Sequence, residues 1–170
     1  MTMTELLVAM LIGAVLLASA APAFKMVTTG NRIAAEINGL LGDLQFARAE
    51  AIKEGRPVTV CSSINGTTCA ASNVWAGGWI VFMDANGNGA VDAGESVLRV
   101  QKAFSGGDTF TASNAVNAVT FNREGFAFGL PGTVTIALHD SPSHANKTRC
   151  LAITIVGQLA TQSAGTGACS

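Results

Sequence analysis

Residues 6–24 carry no charged side chain, and the residue immediately before them is a glutamate, Glu5. Such a run, at about 1.5 Å of rise per residue, makes roughly 28 Å of helix, close to the hydrocarbon thickness of a bilayer. A helix that is apolar all round is stable only in lipid or in the packed interior of an assembly. A carboxylate in or near hydrocarbon costs roughly 2.5 to 3.5 kcal/mol on insertion scales, so Glu5 needs a partner there, and the chemistry that fits is an amine.

Four cysteines, Cys61, Cys69, Cys150 and Cys169, form an even set suited to an oxidising compartment, and three pairings are open. Closeness in sequence favours Cys61 with Cys69 and Cys150 with Cys169, the second bridge pinning the C-terminal tail to a strand. Each contributes roughly 2–4 kcal/mol. A zinc site is the competing reading, but there is no C-x-x-C pair, and His139 and His144 lie in or beside a Ser/Pro/Asn loop, where they read as surface histidines. Cysteines outside the cytoplasm require a cytoplasmic N-terminus at insertion, yet Lys25 is the first cation of the chain. A removed basic leader would supply the missing charge and make Met1 a processed end. A signal peptide cleaved at the A-x-A-like residues 21–23 is the alternative; Glu5, the lack of a basic flank and the apolar length weigh against it.

From residue 28 to residue 53 the pattern becomes amphipathic. Ile33, Ile37, Leu40, Leu41, Leu44, Ala47 and Ala51 return every three or four positions, while Arg32, Glu36, Asp43, Arg48 and Glu50 lie elsewhere. One long helix is expected, with residues 1–24 as a membrane-spanning or fibre-core segment and 25–54 as its amphipathic continuation. Gly55 and Pro57 end it, and Pro22 is expected to kink or locally melt it. Short β-type runs follow at 58–61, 78–83, 96–103, 116–122, 133–139 and 150–156, separated by turn-rich stretches. The expected class is α+β: the striped half of the helix packs on an antiparallel sheet within one disulfide-stapled globular domain, 55–170. With 12% charged residues and a net charge of -1, the chain lacks the basic excess of a general nucleic-acid binder.

The N-terminal segment MTMTELLVAMLIGAVLLASAAPAF, with glutamate at position five and proline at Pro22, resembles the mature N-terminus of type IV pilins and type II secretion pseudopilins. The stretches ARAEAIKEG, WAGGWIVFMDANGNG and GESVLR are similar to H-type pseudopilins and FimT/FimU-type minor pilins. The resemblance implies the type IV pilin-like fold and an inner-membrane anchor before assembly. It further implies other pilins or pseudopilins as partners in a fibre, and processing at Met1 by a leader peptidase and N-methylase. Glu5 would pair with the Met1 amine of a neighbouring subunit. Met1 stands where the family usually has phenylalanine.

Residues 84–95, DANGNGAVDAGE, fit the calcium-loop pattern D-x-N-x-N-G-x5-E. Asp84, Asn86, Asn88, the Ala90 carbonyl and Glu95 would be ligands, Asp92 would act through water, and Gly89 would permit the turn. Strand-like flanks leave the other reading open, an Asn/Gly-rich hairpin loop with incidental carboxylates. Relatives implicated in DNA uptake carry a G-R-x-R-like motif near the C-terminus. The corresponding Gly157, Gln158, Leu159 and Ala160 lack both arginines, with only Lys147 and Arg149 nearby, so DNA is a poorly supported partner. Trp75, Trp79, Phe82, Phe121, Phe126 and Phe128 are expected to pack in the sheet rather than form a stacking platform. No G-x-S-x-G elbow, Walker loop or H-E-x-x-H occurs, which argues against an enzyme. The sequence reads as a structural minor pilin acting in assembly initiation or a tip complex. The alternatives are an H-type pseudopilin and a pilus-borne adhesive or DNA-uptake module.

Overall fold

The computed structural model describes residues 2–104, 106–141 and 143–169, without the side chains at 17, 19–23, 25, 26 and 145. The chain divides into two units, Met1–Arg32 and Ile33–Ser170. Helix α1 (Met3–Glu54) begins in the first and ends in the second. Its helical assignment is continuous through Pro22, so the expected melting is not seen. A proline removes one backbone bond from the ladder, and the bonds on either side sustain the helix. In the first unit Leu7, Met10, Leu11, Val15 and Leu16 are all more than 60% exposed. Among the described residues no helix is long and apolar enough to cross a membrane.

The second unit is built on the stripe that the spacing identified. Ile33, Ile37, Leu40, Leu44, Ala47 and Ala51 are buried, and Leu41 packs beside them half-buried. Each buried leucine or isoleucine contributes about 1.5–3 kcal/mol. Gly55, at φ +66°, turns the chain out of the helix, and Pro57 prevents its resumption. Two antiparallel sheets form where one was expected. The first is ordered β3-β2-β1-β5-β6, from β1 (Val58–Ser62), β2 (Gly78–Met83), β3 (Val97–Lys102), β5 (Ala118–Phe121) and β6 (Ala127–Phe128). The second is β4-β7-β8-β9, from β4 (Thr109–Ala112), β7 (Val134–His139), β8 (Arg149–Ile153) and β9 (Leu159–Ser163). The sequence reading missed β4, β6 and β9. It also ran β8 on to residue 156, where the chain instead turns at Gly157.

Both sheets and the helix share one core, with Val60, Val81, Val119 and Phe121 from the first sheet and Phe110, Ile136, Leu138 and Leu151 from the second. Asp43, off the apolar stripe, ties helix to sheet: Trp79 Nε1 donates to its Oδ2 at 2.8 Å and Arg99 Nη1 to its Oδ1 at 2.9 Å. The Arg99 guanidinium also lies 3.7 Å from the centre of the Phe46 ring, a cation–π contact.

Candidate functional site

The N-terminal turn is closed by a reciprocal cap. Thr2 N–H donates to Glu5 Oε2 at 2.8 Å, Thr2 Oγ1 donates to the same oxygen at 3.2 Å, and Glu5 N–H donates to Thr2 Oγ1 at 3.4 Å. This is a capping box, T-x-x-E ahead of an apolar run; the pattern is legible in residues 2–5 but was overlooked in reading Glu5 for its charge. The carboxylate also sits favourably at the positive end of the helix dipole. Glu5 shares a helix face with Val8, Ala9 and Ile12, spaced three, four and seven positions on. Met1 lies outside the described residues, as does the Pro22 side chain.

The cysteines pair as Cys61–Cys69 and Cys150–Cys169. Cys61, Ile80 and Phe82 form a second small core on the far face of the first sheet, packed against Cys69, Val91 and Ala118. The disulfide loop and the 84–95 loop therefore both fold over that face. On β8, Cys150 alternates with the core residue Leu151, and its bridge holds the C-terminal tail against the second sheet's outer side.

The 84–95 loop gathers all six proposed ligands, and side-chain oxygens of Asp84, Asn86, Asn88, Asp92 and Glu95 accept hydrogen bonds, most of them from donors of the loop itself. Asp84, fully buried, accepts from Asn88 N–H at 3.0 Å, Gly89 N–H at 2.9 Å and Thr59 Oγ1 at 2.7 Å. Asp92 Oδ2 accepts from the side-chain amides of Asn86 and Asn88, each at 2.8 Å. Glu95 receives Ala85 N–H at 2.8 Å and Asp92 N–H at 2.9 Å, one on each oxygen, and Ala90 N–H donates to Asn88 Oδ1. Among the described residues no three His, Cys, Asp or Glu side chains converge as a metal site. His139 Nδ1 lies 3.0 Å from Thr148 Oγ1, and His144 Nδ1 lies 2.7 Å from Asp140 Oδ2. Burial alone would raise the Asp140 pKa. The His144 backbone N–H and ring, with Lys147, hold it below the ordinary value instead.

At the C-terminal motif Gly157 turns the chain at φ +75° between β8 and β9, and Gln158 and Ala160 are exposed. Lys147 Nζ lies 3.7 Å from Asp140, and Arg149 Nη1 donates to Thr148 O. No basic cluster forms there among the described residues. Trp75, Trp79, Phe82 and Phe121 are fully buried; Phe126 and Phe128, at 47% and 39% exposure, are not, which corrects the expectation for those two. Phe126 follows the 123–125 turn and Phe128 lies in a two-residue edge strand, where the sheet offers little cover.

An exposed apolar helix with a capped glutamate at its head, and a helix-packed pair of antiparallel sheets stapled by two disulfides, define a type IV pilin-like structural subunit. The fold is similar to that of the type IV minor pilin FimU of Pseudomonas aeruginosa in two crystal forms. Each match is 22% identical over 80% of this chain, with TM-scores of 0.57 and 0.59 and coverage of 94% and 90% of the FimU chain. A search of curated proteins finds no match. The model of the type II transport protein GspH family matches residues 36–158, more than half of the chain. The chain belongs to the GspH family. Its role is that of a minor pilin or pseudopilin, a structural part assembled with others of its kind in a fibre.

Proposed function

We infer that this chain is a minor subunit of a type IV pilus that acts in assembly initiation or in a tip complex. Its N-terminal helix is held in the inner membrane before assembly, with the globular domain in the periplasm. The observation that carries this reading is the unburied helix surface of Leu7, Met10, Leu11, Val15 and Leu16 behind a single acidic residue. In a fibre those side chains pack on neighbours, and Glu5 fixes register by pairing with the Met1 amine of the adjacent subunit after leader removal and methylation. An uncompensated charge in that interior is costly, so only the paired register is stable. The family's description as a type II transport protein favours a second reading, an H-type pseudopilin of a secretion fibre.

Quantitative mass spectrometry of fibres sheared from cells separates these. Trace amounts with a methylated Met1 are expected of a minor pilin. Retention in the envelope with none in sheared fibres would favour the pseudopilin, and abundance equal to the fibre mass a major pilin.

The 84–95 loop works in this reading as a hydrogen-bonded clasp that keeps Val91 over Ile80 and Phe82, and it takes no cation. Binding calcium would require Asn86 and Asn88 to turn their amides away from Asp92 and Glu95 to release two N–H groups. Millimolar calcium, followed by excess chelator, is expected to leave the thermal midpoint unchanged. A calcium-dependent rise of several degrees would restore the cation site.

A further inference from the structure

Four strands form the edges of the two sheets: β3 and β6 in the first, β4 and β9 in the second. Exposed edges are normally blunted, because their unpaired main-chain groups recruit other strands. Strand β3 carries Arg99 and Lys102 and a register irregularity opposite Val81 and Phe82, and β6 is two residues long. The outer side of β4 is covered by residues 73–75: Trp75 N–H donates to Phe110 O, Ala112 N–H donates to Asn73 O, and Val74 bridges Thr111. Strand β9 has none of these devices. Its sequence, LATQS, contains no charge and no proline, and its register with β8 runs unbroken from Leu159 to Ser163.

The hydrogen-bond phase of β9 identifies its free groups. Thr154 N–H donates to Gln158 O at 3.0 Å, so the hydrogen-bonded pairs continue in steps of two to Ala152 with Ala160 and Cys150 with Gln162. The N–H and C=O of Leu159 and Thr161 therefore point away from β8, and no hydrogen bond described among these residues uses them. The edge lies along helix α1, with clefts of about 190 Å³ beside Ala34 and Asn38 and about 460 Å³ beside Gln45 and Ala49. The clefts hold two cations and no carboxylate: Arg48, whose Nε donates to Gly125 O at 2.9 Å, beside the larger, and Arg149, whose Nη1 donates to Thr148 O, beside the smaller.

We propose that the groove between helix α1 and β9 receives an extended segment of a neighbouring fibre subunit that carries no basic side chain and adds as a fifth strand outside β9. Unsatisfied main-chain donors and acceptors in strand spacing select a strand, and the two arginines on the walls select against one that carries Lys or Arg. The five residues of β9 offer about 17 Å of pairing length at roughly 3.4 Å per residue. The inference rests on the fibre-subunit reading for the identity of the partner.

In cells expressing the full chain, a photo-crosslinking benzophenone amino acid is placed at position 163, at the groove, or at position 8, on the N-terminal helix. Crosslinking from position 163 to an extended segment of another pilin-fold subunit, mapped by mass spectrometry, is expected. Thr161→Pro should cut that yield about tenfold or more while the thermal midpoint holds, since the lost N–H faces outward. Thr161→Lys, which charges the edge without touching the ladder, should do the same and covers the case in which the proline variant misfolds. No crosslink at 163, one to a helix or to an unrelated protein, or a yield indifferent to both variants overturns the proposal. If position 8 still crosslinks to fibre subunits in those cases, the fibre reading stands; if it too is silent and the chain is missing from fibres and envelope assemblies alike, that reading falls with it.

Discussion

Replacing Glu5 with alanine is expected to lower incorporation into fibres by about 10²–10⁴-fold, while the unit from Ile33 onward stays folded. The fold-change corresponds to the roughly 3–5 kcal/mol lost when one member of a buried ion pair is removed and its partner remains. Glu5 accepts two hydrogen bonds from Thr2 in the isolated chain, so it has a local role as well. The two roles separate by substitution. Glu5→Gln keeps an oxygen able to accept from Thr2 N–H but removes the charge; Thr2→Ala removes the hydroxyl of the cap and leaves the charge. If Glu5 serves register, Gln should fail nearly as badly as Ala, and Thr2→Ala should cost only about 1 kcal/mol of helix-end stability. If Glu5 serves only the cap, Gln should assemble nearly normally. The readout is the ratio of the variant to the dominant subunit in sheared fibres, with circular dichroism of the purified chain as the folding control. Normal incorporation of both Glu5 variants would end the register model.

The helix and its buried face were legible because the signal is repeated: six side chains at three- and four-residue spacing define one stripe, and Gly55 with Pro57 define its end. Strands β1, β2 and β7 were legible for a related reason, since β-branched and aromatic residues crowd both of their faces. Strand β9 was not, because LATQS has neither an apolar run nor a strong alternation; it is a strand through its ladder to β8. The two-sheet division was also invisible, as it depends on which long-range pairs form. In the 84–95 loop the pattern picked out residues that gather in one turn but not the direction of their donors. A spacing of Asp, Asn and Glu suits a cation or a closed hydrogen-bond network equally, and the spacing does not reveal that the side-chain amides of Asn86 and Asn88 donate to Asp92.

Gly157→Ala is expected to destabilise the second unit by about 3–5 kcal/mol, among the largest effects of any single methyl in this chain. A Cβ at that position would lie 2.1 Å from Gly125 O and 3.1 Å from Arg48 Nε. The obstructing atom is backbone, and it cannot swing aside: Gly125 O accepts from Arg48 Nε at 2.9 Å, and Ala127 N–H ties the same turn to Ile155 O at 3.0 Å. To this is added the roughly 1–2 kcal/mol that an alanine incurs in the left-handed region. A fall in thermal midpoint of roughly 10–20 °C should follow for a unit of this size. Gly165 is the matched control: its φ is +77°, but nothing lies within 4 Å of its Cβ direction, so Gly165→Ala should show the conformational cost alone. Equal shifts for the two substitutions would mean that the contact with Gly125 is not what position 157 serves. A large difference assigns the glycine of this stretch to the joint between two turns and the helix. It also separates that glycine from the exposed neighbours Gln158 and Ala160, where Gln158→Arg and Ala160→Arg could add phosphate-binding charge without disturbing the fold.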